Sequence, residues 1–378
     1  MIYFDAAATT LEKPVLVRRA MASAVHTMSS PGRGGHPAAR LAEETAYRCR
    51  TAAAALFGVG SPEQVVFTCS ATHGLNIAIH SLVTPGSRVI ISGYEHNAVT
   101  RTLHAIRGIR LTVIDTPLFR PDLSAAAFED AVARGADAVI CNHVSNVFGS
   151  IQPLEQIAES CRRHGVPLIV DASQSAGVLP VRMDRLGAAF IALPGHKGLY
   201  GPQGTGLLLC GRDAQPLLFG GTGSASRLQD MPEALPDRLE TGTHNMPGIA
   251  GLLEGIRFVM QKDLESIRAH EQQLTAQMAD QLHRLPAVHA LISEEPACQA
   301  GVLSFWTEDR DCEELGESLA RRGVAVRAGL HCAPLAHRTA GTLEKGTVRV
   351  SFSAFNTFRQ VQVFKETLEQ ILREKVTF

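Results

Sequence analysis

Between about residue 60 and residue 210 the chain alternates seven short apolar runs with longer stretches of helical periodicity. That alternation restricts it to a mainly parallel sheet wrapped by helices, an α/β fold. The runs are residues 64–69, 87–92, 110–115, 137–141, 167–171, 188–193 and 205–210. Several are apolar throughout, as strands covered on both faces must be, and helical patterns such as 74–83 and 154–164 fall between them. Gly165 follows the latter, where glycine suits a helix C-terminus.

After about residue 250 the pattern changes. A long helical segment runs through residue 285, followed by apolar runs at 302–306, 324–327 and 347–352, a helix near 313–322 and a closing helix. The 378-residue length suits two domains: a large α/β domain over 15–250, and a smaller α+β domain over 251–378 that also takes in 1–14. The glycine- and proline-rich segment 216–247 reads as an ordered active-site loop between them.

With a formal net charge of -1 there is no global basic field to draw the chain onto nucleic acid or anionic lipid. The opening Met1-Ile2-Tyr3-Phe4-Asp5 lacks a signal peptide's basic start and apolar core, and no apolar stretch of about 18 residues could span a membrane, so a cytoplasmic location is expected. The eight cysteines show no Cys-x-x-Cys pair and no zinc-like spacing with histidine, which predicts neither a disulfide framework nor a metal site. Cys69 and Cys141 lie in apolar runs and read as small buried hydrophobes; Cys332 does not.

In an open parallel sheet, ligands sit beyond the carboxyl ends of the strands, so the residues that follow each run are compared. After the first come Ser70-Ala71-Thr72, opening a helix whose free amides could seat a phosphate or simply form an ordinary capped start. After the second comes His96, and after the fourth Asn146, in a polar run. Asp171 ends the fifth run, where a carboxylate is costly unless a cation such as a protonated pyridine nitrogen meets it. Lys197 follows the sixth on the loop Pro194-Gly195-His196-Lys197-Gly198; it is either a surface lysine in a turn or a poorly hydrated amine able to form a Schiff base. Asp171 followed by Lys197, each at a strand end, is the pairing expected where pyridoxal phosphate is bound.

From these residues, and from Tyr3-Phe4-Asp5-Ala6-Ala7-Ala8, Arg33-Gly34-Gly35-His36, His143-Val144-Ser145-Asn146, Asp171-Ala172-Ser173-Gln174, Thr241-Gly242-Thr243-His244-Asn245 and Arg327-Ala328-Gly329-Leu330-His331-Cys332, the chain resembles the fold-type I, class V aminotransferase-like family. Within it the likeness is to cysteine desulfurases and selenocysteine lyases of the type II group. The resemblance implies a pyridoxal 5'-phosphate enzyme with Lys197 as the Schiff base lysine, Asp171 as the pyridinium partner, His96 stacked on the ring and Gln174 on its phenolic oxygen. It also implies that Ala71, Thr72 and His196 lie at the phosphate, with Thr243 arriving from the neighbouring subunit of a homodimer. Asn146, Arg349 and His36 would hold substrate, and Cys332 would accept its sulfur.

Three positions depart from the family pattern: Ala71 where a second threonine is frequent, His244 for proline, and Leu330 for histidine two residues before the acceptor cysteine. The implied reaction converts L-cysteine to L-alanine, leaving a persulfide on Cys332 that passes to a thiol acceptor, for instance a partner protein. The alternatives are a lyase acting on L-selenocysteine, another class V carbon-sulfur lyase or aminotransferase, and a catalytically silent sulfur-relay scaffold.

Overall fold

The computed structural model describes residues 1–32 and 34–374, so Arg33 of the Arg33-Gly34-Gly35-His36 motif lies outside the described residues. The chain opens on β1 (Ile2–Tyr3). The seven apolar runs then become β2 (Val65–Thr68), β3 (Arg88–Ser92), β4 (Arg110–Ile114), β5 (Ala138–Asn142), β6 (Leu168–Asp171), β7 (Phe190–Pro194) and β8 (Gly206–Cys210). They form one sheet in the order β2-β8-β7-β6-β5-β3-β4, with β8 antiparallel to both its neighbours and the other pairs parallel.

Strands β5 to β8 are buried at every position, which is why their sequences are continuously apolar. Alternation still sorts their side chains: Leu207 and Leu209 join the core on one face of the sheet, Leu208 and Cys210 the core on the other. The helix Ala71–Leu82 covers the second face through Leu75, Ile77 and Ile79. Helices Pro37–Phe57, Leu154–Arg163 and Met246–Lys262 cover the first through Phe57, Ile157 and Ile256.

Past residue 285 come β9 (Val288–Leu291), β10 (Val302–Thr307), β11 (Val324–Ala325), β12 (Arg327–Gly329) and β13 (Thr347–Ser351). An antiparallel sheet, β12-β13-β10-β9, packs Phe305, Val348 and Val350 against Phe364 and Leu368 of the closing helix Phe358–Arg373 and against Phe4. Strand β1 pairs in parallel with β11, so the first residues of the chain are built into this C-terminal layer.

The structure departs from the sequence expectations at several boundaries. The long helical segment begins earlier, at Met246, and is two helices, Met246–Lys262 and Leu264–His283. Asp263 breaks it with φ +68° and accepts a hydrogen bond from the Ser266 N–H (3.4 Å), the local capping that favours aspartate outside helix interiors. The run at 324–327 is divided between two sheets. Strand β9 carries no clear signal because its residues are only partly buried or exposed. The first helix after β2 starts at Ala71 rather than Gly74, since Ser70 caps it by accepting from the His73 N–H (3.2 Å).

Residues 211–245 form neither helix nor strand, and Glu240 anchors them. Its carboxylate takes both arms of Arg50 (2.7 and 2.6 Å) and the Phe67 N–H (2.6 Å), and lies 2.5 Å from His244 Nε2. His244, which departs from the family's proline, thus contacts a buried Arg50–Glu240 ion pair. Among the described residues no helix is long and apolar enough to cross a membrane.

Gly177 sets the spacing between the loops that follow β6 and β7. Its φ is +86°, and a Cβ there would lie 2.1 Å from the Gly198 carbonyl oxygen, next to Lys197. Gly177→Ala is expected to lower unfolding free energy by about 2 kcal/mol or more, read as a drop in the denaturant midpoint. An unchanged midpoint would show that the two loops can separate without cost.

Candidate active site

A cavity opens at the carboxyl edge of the parallel strands, enclosing about 540 Å³ that includes open solvent. Ala71 and Thr72 reach it from the helix after β2, and His96 from the turn after β3. Asn146 enters from the loop after β5, Asp171 and Gln174 from the end of β6, and His196 and Lys197 from the loop after β7.

Asp171 is buried, and its Oδ1 accepts the Ser173 N–H (2.9 Å). Among the described residues no cation forms an ion pair with it, so this carboxylate is poised to receive one. Lys197 comes from the loop after the neighbouring strand, with Asp171 in register with Ala192 of β7. Burial lowers the Lys197 amine to about 8, with Asp171 opposing and Arg349 reinforcing the shift. A substantial fraction of this amine is therefore neutral and nucleophilic near neutral pH.

His96 caps the helix Asn97–Ala105: its Nδ1 accepts the Ala98 N–H (3.0 Å), which puts the ring proton on Nε2. Burial lowers its pKa, Asp171 opposes that shift, and Lys197 and Arg349 add to it. His196 shares the cavity with a buried Nδ1 lacking a partner, and burial holds its imidazole neutral, down to about 4. The amides of Ala71 and Thr72 in the first helical turn make no hydrogen bond among the described residues, which leaves them free for an anion.

Asn146 gives its side-chain N–H to the His331 carbonyl (2.8 Å) while its Oδ1 stays buried and unpartnered. Its own carbonyl accepts from Arg349 Nη1 (2.9 Å), and Arg349 Nη2 pairs with Asp5 Oδ1 (2.7 Å). The guanidinium fork expected for a substrate carboxylate is therefore already held on two sides, with Nε buried and free. Burial lowers the Arg349 pKa and Asp5 pushes it back. Gln174 reaches the N-terminal segment, donating to the Ala7 carbonyl (3.0 Å).

Cys332 is exposed on the connection between β12 and β13, and both it and His331 adopt left-handed backbone conformations (φ +56° and +51°). The Cys332 carbonyl accepts the Asn97 N–H (2.8 Å), pinning the loop to the helix that His96 caps. The adjacent His331 brings no positive charge to the thiol. Its ring is buried against Thr347, with Nε2 3.1 Å from that residue's carbonyl oxygen, and burial with Arg349 nearby keeps it neutral, well below the usual histidine range.

Four residues read as site components do not line this cavity: Arg349 and Cys332, described above, and His36 and Thr243. His36 is exposed and caps the helix Pro37–Phe57, accepting the Ala39 N–H at 3.4 Å. Thr243 lines a second cavity, with Cys69, His73 and Glu240, so segment 216–247 borders that space rather than the Lys197 cavity within this chain. Cys69 is also exposed, 3.7 Å from His73 Nδ1, and not a buried hydrophobe, because it lies just past the end of β2.

Glu95 was absent from the expected site. It is fully buried, its Oε1 accepts from the Ser92 hydroxyl and the Asn142 N–H (both 2.7 Å), and burial with Asp171 nearby raises its pKa to about 8. At neutral pH it is largely a protonated acid behind Asp171. The available signal was an acidic residue directly after an apolar strand and beside His96.

An α/β sheet with a lysine and an uncompensated carboxylate at adjoining strand ends defines a cofactor-dependent class of enzyme, and the model of the aminotransferase class-V family matches residues 2–364; the chain belongs to that family. A probable cysteine desulfurase of Methanothermobacter thermautotrophicus is 31% identical over 98% of this chain and 94% of its own length. Another from Mycolicibacterium paratuberculosis is 30% identical over 98% of this chain, which spans only 55% of that relative; for one from Mycobacterium leprae the share is 62%. Among solved structures, an apo cysteine desulfurase of Thermococcus onnurineus superposes with a TM-score of 0.90 at 29% identity, covering 98% of this chain and 94% of that one. The Escherichia coli cysteine desulfurase CsdA shares the fold, with a TM-score of 0.84 at 24% identity over 98% of this chain and 94% of that one.

The lowered Lys197 pKa fixes the direction of a pH dependence. Only the neutral amine attacks an aldehyde, so in the apoprotein its reaction with a simple aldehyde, trapped with borohydride and read by peptide mass, should rise with pH and level off above about 8. A rise continuing past pH 10 would place this amine in a water-like environment.

Proposed function

We propose that the protein is a pyridoxal phosphate-dependent cysteine desulfurase that converts L-cysteine to L-alanine and carries the sulfur on Cys332. The observation that carries this reading is the shared cavity of Asp171 and Lys197, with the exposed Cys332 loop bonded to the helix that His96 caps. Relatives named as cysteine desulfurases support the same assignment.

The residues fit the cofactor. Asp171 lacks a cation, the Asn146 Oδ1 and His196 Nδ1 are buried without partners, and the first-turn amides of Ala71 and Thr72 are free. When bound, pyridoxal phosphate supplies an aldehyde for Lys197 and an electron sink for the substrate's α-carbon. Ala71 and Thr72, with His196, would receive the phosphate. Asp171 would keep the ring nitrogen protonated, His96 would stack on the ring, and Gln174 and Asn146 would meet its oxygen.

Lys197 Nζ then carries the α-proton, a role for which its lowered pKa suits it. Arg349 and Asn146 hold the substrate carboxylate, with His36 as a further substrate contact. Cys332 takes the sulfur: its thiolate forms the new S–S bond as the substrate's C–S bond breaks, the electron pair stays with the carbon, which takes up a proton to become the methyl group of alanine, and a thiol acceptor, small molecule or protein, later receives the sulfur. His331 is neutral and brings no positive charge to Cys332, whose carbonyl meets the N-terminal end of the helix Asn97–Ala105. The same reading makes the protein a homodimer in which Thr243 completes the partner's phosphate site. It also divides the chain into a domain of residues 15–250 and a domain of 251–378 with 1–14.

The first test is the release of L-alanine from L-cysteine under anaerobic reducing conditions, with sulfide measured alongside. Equal amounts of both are expected. Cys332→Ala should keep the yellow cofactor absorbance but lose about 100-fold or more of this activity. Alanine released from L-selenocysteine but not from L-cysteine would overturn the assignment in favour of a selenocysteine lyase.

A further inference from the structure

Arg349 does not wait alone for a carboxylate. Its Nη2 pairs with Asp5 Oδ1 at 2.7 Å, and the other oxygen of Asp5 lies 3.3 Å from Arg327 Nε. The Arg349 and Asp5 side chains are only 3% and 14% exposed, so their charges are weakly screened. Asp5 is also fixed in place. It bridges Ser351 of β13, the Ser351 N–H donates to the Phe4 carbonyl (2.8 Å), and the Ala7 N–H donates to the Ser351 hydroxyl (2.9 Å).

Two further titratable groups beside the pair, Tyr3 and His331, add no charge at pH 7, and Lys197, which feels Asp5 and both guanidinium groups, is the amine that the cofactor aldehyde engages in the holoenzyme. Tyr3, whose hydroxyl donates to the Asp5 carbonyl (3.2 Å), has a raised pKa, and His331 is held well below its ordinary range. Within the ion-paired trio itself, two guanidinium cations and one carboxylate leave a single excess positive charge.

We propose that Asp5 is a specificity-determining residue: by pairing with Arg349 and Arg327 it sets the substrate-binding cluster to one net positive charge, which admits an amino acid bearing one carboxylate and discriminates against a second anionic group. The inference rests on the reading that Arg349 holds the substrate carboxylate. A monocarboxylate neutralises the cluster. A dicarboxylate leaves an uncompensated anion in a poorly solvated site and meets the fixed charge of Asp5.

The test compares L-alanine with L-aspartate as ligands of the holoenzyme, with dissociation constants taken from calorimetry and from the change in cofactor absorbance. Asp5→Asn keeps the side-chain shape and one acceptor oxygen while removing the charge. It should shift the ratio of the two constants about tenfold toward aspartate. Arg327→Gln, at a half-exposed side chain that can be replaced without disturbing the core, should shift the ratio the other way.

An unchanged ratio in Asp5→Asn, or equal weakening of both ligands, would reduce Asp5 to an anchor for Arg349 and overturn the inference. Should Asp5→Asn fail to fold, as judged by its thermal transition, Arg327→Gln decides alone, and an unchanged ratio there overturns the inference as well. The underlying reading has its own check in Arg349→Gln. Wild-type affinity for L-alanine in that variant would remove Arg349 from carboxylate binding, whatever Asp5 does.

Discussion

A carboxylate buried at the end of β6 without an internal cation is the constraint around which the rest of the site is arranged. Such a group is tolerated when the surroundings supply hydrogen bonds and leave room for a positive ligand. Here the Ser173 N–H supplies one bond, and the cavity beside it supplies the room. The parallel register then fixes what stands nearby: β5 brings Asn142 opposite Asp171, while β7 delivers Lys197 from the next strand over. The largely protonated Glu95 adds a further requirement, because a second ionised acid behind Asp171 would raise the cost of both.

The second sheet completes this edge from the other side. Strand β13 carries Arg349 to the Asn146 carbonyl, and the connection from β12 carries Cys332 to the first amide of the helix Asn97–Ala105. These are backbone-anchored contacts across the gap between the two sheets, and they locate the thiol by the fold rather than by its own side chain. The left-handed conformations of His331 and Cys332 belong to the same arrangement, since an extended backbone would carry the loop elsewhere. The N-terminal segment is the third participant. It joins the C-terminal layer through β1, meets Gln174 through Ala7, and meets Arg349 through Asp5.

Much of the large sheet was legible because continuous burial on both faces leaves an unmistakable trace: every run such as 188–193 became a strand within two residues of its expected limits. The break at Asp263 was not, because helical periodicity continues on both sides and the left-handed turn depends on a single capping residue. At the site, the strand-end rule found the residues from Ala71 to Lys197 that share the cavity. It could not find the Asp5–Arg349 pair, whose members are 344 positions apart and meet only through the pairing of the first strand with the C-terminal layer. Nor could a motif tell which way His331 points. Its backbone is left-handed, and its imidazole faces inward toward Thr347.

That inward turn bears on how Cys332 can react. A buried imidazole held neutral contributes packing, here a stack on His337 with ring centroids 5.7 Å apart, and no positive charge. Leu330, two residues before the cysteine, contributes none either. The exposed Cys332 is open to water and to other thiols, with its carbonyl held by the Asn97 N–H. Under the proposed function, this exposure leaves the thiol open to a second thiol in solution, while the bond from the Asn97 N–H holds its backbone at the helix that His96 caps.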